Sequence, residues 1–424
     1  MQENFKPLDW AKQANIYEVN VRQYTAEGTF EAFESHLPRL HDMGVKVLWF
    51  MPITPISIKK RLGKLGSYYS CSDYVSINPE FGTIDNFKKL VVAAHEQGFK
   101  VIIDWVANHT GWDHTWTKEH PTFYKQRDDG TFYDSNGWED VIDLDYTNTT
   151  MRQAMIAAMN FWIDECDIDG FRCDMAHLVP LDFWQEARQT LDNIKKLFWL
   201  AETEEPAYHQ VFDATYAWEL LHKMEAVSKG LADIKHLDGV LKKYNSIFPA
   251  NAVRLLFITN HDENSHSGSE FERFGIAAKA FAILCATWHN SIPLIYSGQE
   301  LPNTKRLKFF EKDEIEWKDK TDLHSFYKLL LTLHRDHPAM RGVTNHTTRL
   351  QTTADDLVFA FSRQNEDRKI LVLLNLSKQN KVKFQILNPE IRGVFTSALS
   401  GIKIDLTSDE SFELQAWEFL IYCR

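Results

Sequence analysis

Eight short apolar runs, each followed by a longer stretch of helical periodicity, constrain this chain more than any other feature. They are NIYEVNV from Asn15, KVLWFM from Lys46, KVIIDW from Lys100, IDGFRCD from Ile168, LFWLAE from Leu197, VFDATY from Val211, VRLLFIT from Val253 and IPLIYS from Ile292. A strand covered on both faces reads as a continuous apolar run, and strands alternating with helices make a parallel sheet. Eight such units favour a closed (β/α)8 TIM barrel over an open doubly wound sheet. No GxGxxG loop follows the first run, which removes the main support for a dinucleotide-binding fold.

Two segments break the alternation. Residues 105–145, rich in Trp, His, Asp and Gly, carry no helical periodicity and are too long for a plain connection. They are expected to form a short subdomain inserted after the third strand, at the barrel end where such segments usually build the substrate site. After about Met340 the runs TRLQTTADDLVFAFSR, KILVLLNLSK, KVKFQIL, GVFTSAL, IKIDLTS and FELQAWEFLIYCR take period two between Asn, Gly, Asp and Ser turns. This predicts a C-terminal antiparallel β-sandwich. The expected division is 1–104 with 146–340 as barrel, 105–145 as insertion and 341–424 as sandwich.

Composition narrows the partners. The 424 residues suit one barrel-sized domain plus a smaller one. A net charge of -12 opposes binding to nucleic acid or an anionic membrane surface. Thirteen Trp suggest sugar-stacking rings as well as core, though composition alone does not choose between them. The five Cys, odd in number and in no CxxC pair, indicate reduced thiols rather than disulfides or zinc. The opening MQENFKPLDW has no basic segment followed by an apolar stretch, so a cytoplasmic location is expected, although a secreted protein trimmed of its leader reads the same way. Oligomeric state is not legible.

Acids cluster at the ends of the runs. Asp104 ends the third, Asp174 the fourth and Glu202 the fifth, while Asp262 in TNHDEN follows the seventh. Neighbouring strands roughly 4.8 Å apart can bring two carboxyls to the ~5–5.5 Å that retaining glycoside hydrolysis requires. Arg172, two residues before Asp174, projects to the same side of a strand. Its charge is expected to hold Asp174 ionised, while several nearby acids raise the pKa of Glu202 toward that of a proton donor. The plain alternative, solvated acids at strand ends, fits any one of these residues better than all four together. Of the acids in ETEE from Glu202, only the first sits at a strand end. KKRLGKLG from Lys59 reads as a solvated, flexible loop.

These motifs resemble the α-amylase family, glycoside hydrolase family 13, over nearly the whole chain. DWVANH from Asp104, GFRCD from Gly170, LAE from Leu200 and TNHDEN from Thr259 match its four ordered regions. GVKVLWFMPITP from Gly44, SYYSCSDYVSINPEFGT from Ser67, IPLIYSGQE and QAWEFLIY from Gln415 are similar as well. The resemblance implies Asp174 as nucleophile, Glu202 as acid/base and Asp262 as the acid that binds sugar hydroxyls and favours a distorted ring. It further implies that His109 and His261 hydrogen-bond the sugar, that Arg172 supports the nucleophile and that Tyr69 is a stacking platform. In the family Asn108 often binds calcium with oxygens of the third loop, and Asp143 or Asp145 would be partners here; otherwise Asn108 bonds loop backbone.

Departures from the family pattern touch specificity. His177 and Leu178 stand where many α-amylases carry Lys and His, leaving the leaving-group side without a familiar signature. Met175, where enzymes preferring α-1,6 linkages commonly carry Val, favours α-1,4 bonds. The expectation is hydrolysis of maltooligosaccharides or starch-derived α-glucans through a covalent β-glucosyl enzyme, with no cofactor required for the chemistry. Transglycosylation by the same first step is the alternative, and a non-catalytic carbohydrate-binding relative is a further one that predicts loss of a catalytic acid.

Overall fold

A computed structural model describes residues 8–317, 321–341, 346–406 and 410–424. Most of the opening segment, 1–7, and the last two residues of the IKIDLTS run, 407 and 408, lie outside the described residues. Ten strands precede the C-terminal region: β1 (Ile16–Val19), β2 (Val47–Phe50), β3 (Lys100–Trp105), β4 (His109–Gly111), β5 (Val141–Asp143), β6 (Gly170–Cys173), β7 (Phe198–Ala201), β8 (Ala214–Tyr216), β9 (Val253–Leu256) and β10 (Ser291–Tyr296). Eight of them close a barrel in the order β1-β10-β9-β8-β7-β6-β3-β2, and these coincide with the eight apolar runs. β4 and β5 pair antiparallel in the insertion, with His109 opposite Asp143.

By compactness the chain divides into two units. The first holds Ile16–Tyr216 and Ile295–Thr321, and the second holds Ala217–Leu294 and Asp322–Arg424.

In the first unit, local signals set where elements start and stop. The helix Ile84–Glu96 opens with a reciprocal Thr83–Asn86 capping box, and Thr149–Cys166 starts on Asn148, whose side chain accepts from two backbone N–H groups. Gly170 opens β6 because a Cβ there would lie 2.0 Å from the carbonyl oxygen of Phe198 on β7. The two strands can therefore pair in parallel with Arg172 opposite Leu200 and Cys173 opposite Ala201. On the other side of β6, Asp104 of β3 lies opposite Arg172.

The loop KKRLGKLG is exposed at its lysines, yet it is tied down. Asp113 Oδ2 accepts from the backbone N–H of Ile58 and of Lys59, both at 3.0 Å. The Lys60 ammonium sits 3.3 Å from the Trp112 ring centroid, and the backbone N–H of Lys64 bonds Glu311. Asp113, Trp112 and Glu311 lie far away in the chain, so the loop's own sequence carries no sign of them.

In the second unit, β11 (His346–Leu350), β12 (Val358–Asn365), β13 (Arg368–Asn375), β14 (Val382–Phe384), β15 (Gly393–Ser397), β16 (Lys403–Leu406), β17 (Phe412–Leu414) and β18 (Phe419–Cys423) follow. Six form one sheet in the order β11-β12-β13-β18-β15-β16, and β14 pairs with β17. Leu371 and Leu373 of the large sheet share one buried cluster with Phe384, Phe412 and Leu414 of the small one. In β14 and β17 that face comes from alternating buried and exposed positions, whereas β12 and β13 are buried along most of their length. No helix among the described residues is long and apolar enough to cross a membrane. All five cysteines are free thiols.

Candidate active site

The site in the first unit is organised by one side chain. Arg172 is fully buried, and its Nη1 donates to Asp174 Oδ1 at 2.9 Å and to both oxygens of Asp104 at 3.0 and 3.2 Å. Its Nη2 lies 2.8 Å from Glu202 Oε2 without hydrogen-bond geometry. Nε donates to the Tyr216 hydroxyl at 3.1 Å. The rings of Trp49, Tyr216 and Tyr69 surround the guanidinium, with centroids 4.9, 5.5 and 5.9 Å from its carbon. Burial works against the Arg172 charge, but Asp104 and Glu202 outweigh it and raise its pKa well above the ordinary value.

Strand register explains the convergence. Asp174 and Glu202 each take the first position after β6 and β7, where the Asp174 N–H bonds the Trp105 carbonyl and the Glu202 N–H bonds the Cys173 carbonyl, both at 3.0 Å. The parallel ladder thus runs one residue beyond the strands and presents both carboxyls at one end. Met175 then adopts a left-handed backbone, φ 39°, uncommon for a residue other than glycine. Its N–H donates to Glu202 Oε2 at 2.9 Å, so the turn after Asp174 also positions Glu202. The carboxyls of Asp174 and Glu202 retain 9% and 7% exposure, whereas that of Asp104 has none, which separates two reachable acids from a supporting one.

Sequence reasoning assigned Arg172 to Asp174. The structure shares it among three acids, because β3, β6 and β7 are consecutive in the barrel and all three carboxyls come within reach of one planar fork.

Tyr69 is half-buried, and its hydroxyl donates to Asp104 Oδ2 at 3.2 Å, as does Trp49 Nε1 at the same distance. The ring of His109, 4% exposed, hydrogen-bonds the backbone of Tyr69, and burial lowers its pKa against the pull of Asp134, Asp143 and Asp140. Tyr69, His109, Arg172, Asp174 and Glu202 are therefore brought together. His177 lies on the turn after Asp174 with its side chain exposed. In the second unit, His261 and Asp262 follow β9; the histidine is buried and its Nε2 lies 3.2 Å from Asp262 Oδ2.

Asn108, Asp143 and Asp145 are engaged separately. The amide of Asn108 meets His109 Nδ1 at 3.3 Å, and Asp145 Oδ1 accepts from the N–H and hydroxyl of Thr147 at 3.0 and 2.7 Å. Asp143 Oδ2 receives the Lys125 ammonium at 2.9 Å and the Ser135 N–H at 3.1 Å. Ser135 and Lys125 hold its pKa below the ordinary value despite burial. Among the described residues no group of three or more His, Cys, Asp or Glu could hold a metal ion. In this arrangement Asp143 pairs with the Lys125 ammonium.

One neighbour of the site carried no sequence signal of its own. Trp138 keeps 36% exposure and presents edge-to-face to His109, with ring centroids 5.3 Å apart. The high Trp count hinted at such a ring without locating it.

Comparison with known proteins bears on the family and the fold. The catalytic domain of the α-amylase family matches residues 11–137 and 122–350. α-Amylase MalA of Haloarcula japonica is 27% identical over 88% of this chain, and the chain spans 57% of that protein's length. Two solved structures superpose at a TM-score of 0.89: the noncanonic maltogenic α-amylase AmyB of Thermotoga neapolitana, at 28% identity over 98% of this chain and 99% of that one, and an α-amylase of Lactobacillus plantarum, at 27% identity over 98% and 100%. A buried arginine shared by acids at three successive strand ends, within a matched catalytic domain, identifies the chain as a member of the α-amylase family of glycoside hydrolases.

Proposed function

We propose that the chain hydrolyses α-1,4-glucosidic bonds in maltooligosaccharides with retention of configuration. The observation that carries this reading is the unequal hold of Arg172 on two reachable carboxyls: a hydrogen bond to Asp174 at 2.9 Å and, to Glu202, a close approach at 2.8 Å without one. Three acids against one guanidinium leave room for one proton, because like charges at close range cannot all ionise cheaply. That proton belongs on Glu202, the carboxyl least committed to Arg172.

Glu202 protonates the glycosidic oxygen as Asp174 attacks the anomeric carbon, breaking the bond to the leaving sugar and forming a β-glucosyl ester. Glu202, now ionised, takes a proton from water, which attacks the same carbon and expels Asp174, giving an α product. Tyr69 stacks on the reacting glucosyl unit, and His109, neutral through burial, hydrogen-bonds it. His261 and Asp262 act on the same unit as sugar-binding groups, by the match of TNHDEN to the family pattern. His177 faces the leaving sugar. Met175 supports the α-1,4 assignment.

Proton NMR of products during the first turnovers of maltoheptaose tests the reading. New α anomer, appearing before mutarotation, is expected, and β anomer defeats retention. Products longer than maltoheptaose as the main early species assign the chain to transglycosylation instead, since a sugar hydroxyl can replace water in the second step.

A further inference from the structure

Residues 305–314, after β10, carry an aromatic ring beside Tyr69. Phe309 is half-buried, and its plane lies 14° from that of Tyr69 with centroids 6.3 Å apart. Nearly parallel rings at that separation are offset, so neither covers the whole face of the other. Tyr68 and Phe310 meet Phe309 edge-on at 5.6 and 5.0 Å.

The frame beneath this ring is rigid. Gln23 Nε2 donates to the carbonyls of Lys308 and Glu311 at 2.9 and 2.7 Å, and Arg22 Nη1 to that of Phe309 at 3.4 Å. Arg22 itself is locked by Glu80 at 2.8 and 3.1 Å and lies 4.1 Å over Tyr68. From the other side the Leu65 N–H bonds the Phe310 carbonyl at 2.9 Å. Gly63, at φ +62°, permits that approach, since a Cβ there would lie 2.5 Å from Phe310 Cβ. A flat apolar face with a fixed backbone loses little entropy when a ligand settles on it.

We propose that Phe309 is the platform of a second glucosyl subsite, adjoining the unit stacked on Tyr69, and that it sets the preference for chains over single sugars. Successive pyranoses of an α-glucan present apolar faces in turn, and two offset, near-parallel rings offer them two adjacent surfaces. The proposal rests on the reading of Tyr69 as a sugar platform.

The test is calorimetric binding of maltoheptaose in a Glu202→Gln background, which needs no turnover. Phe309→Leu keeps apolar volume but lacks the flat face, whereas Phe309→Tyr keeps the face. The expected result is affinity about 5- to 10-fold weaker for Phe309→Leu and within 2-fold of the parent for Phe309→Tyr, at unchanged melting temperature. Equal affinity for Phe309→Leu and the parent overturns the subsite, as does a Phe309→Leu loss as large for glucose as for maltoheptaose, because the ring then only buttresses Tyr69. Absence of maltoheptaose binding in the Glu202→Gln parent, joined to absence of wild-type turnover, overturns the hydrolase reading itself and is a separate outcome.

Discussion

Arg172 Nη1 lies 2.9 Å from Asp174 Oδ1 and hydrogen-bonds it, in a pocket where the arginine side chain has no exposure. The same guanidinium reaches Asp104 and Glu202. Lysine presents one point charge and cannot span three carboxyls. Arg172→Lys is therefore expected to lower kcat on maltoheptaose by about 100-fold or more and to depress the melting temperature, since buried acids lose their cation. Steady-state kinetics with a thermal melt check this; activity within 10-fold of wild type would show the guanidinium to be dispensable.

Asp174 and Glu202 should fail differently. Asp174→Gly and Glu202→Gln are each expected to lose on the order of 10³-fold in kcat. With α-glucosyl fluoride, azide entering the space vacated in Asp174→Gly attacks the face opposite the leaving group and gives a β-glucosyl azide. In Glu202→Gln the intact nucleophile reacts first, so any azide product is α. NMR of the products reads the two configurations, and the reverse outcome exchanges the roles of the two acids.

The Lys125 ammonium lies 2.9 Å from Asp143 Oδ2, one of the acids the family resemblance names as a calcium partner. Asp143 pairs across the hairpin with His109, so losing that charge strands a carboxylate with 1% exposure beneath a proposed sugar ligand. Lys125→Met is expected to lower the melting temperature by about 2–4 °C, the ammonium itself being partly screened by solvent. Calcium and EDTA are expected to leave the wild-type melt unchanged. A rise with calcium in the wild type would assign the role to the ion instead.

Buried histidines predict acid sensitivity. Burial lowers His114 and His334 from the ordinary value of 6.5 to about 4. Below pH 6.5 the unfolded chain takes up these protons before the folded one, so stability present above 6.5 is lost progressively as pH falls toward 4. The slope approaches about 1.4 kcal/mol per pH unit for each group. Thermal melts between pH 7 and 4 should show this decline, with a shallower slope in His114→Gln. A melting temperature constant across that window would contradict neutral buried rings.

The barrel was legible because each of its strands is covered on both faces. KVIIDW and LFWLAE are apolar without alternation, and such runs separated by helices have few ways to bury themselves. The placement of Asp174 and Glu202 was legible as well, each ending an apolar run and lying one residue past its strand. KKRLGKLG reads as a solvated, flexible loop because composition reports solvation, which its exposed lysines show, and says nothing of the bonds to Asp113 and Glu311.

By itself, then, the sequence determined the barrel strands, the sandwich-like C-terminal sheet pattern and the acids at the strand ends, all properties of local periodicity and position. Tertiary structure alone decided that one arginine serves three acids, that Lys125 neutralises Asp143 and that Phe309 lies beside Tyr69. Each of these depends on which distant segments the closed strand order brings side by side. Side-chain contact across 240 residues of chain, as between Tyr69 and Phe309, leaves no trace in the spacing of either.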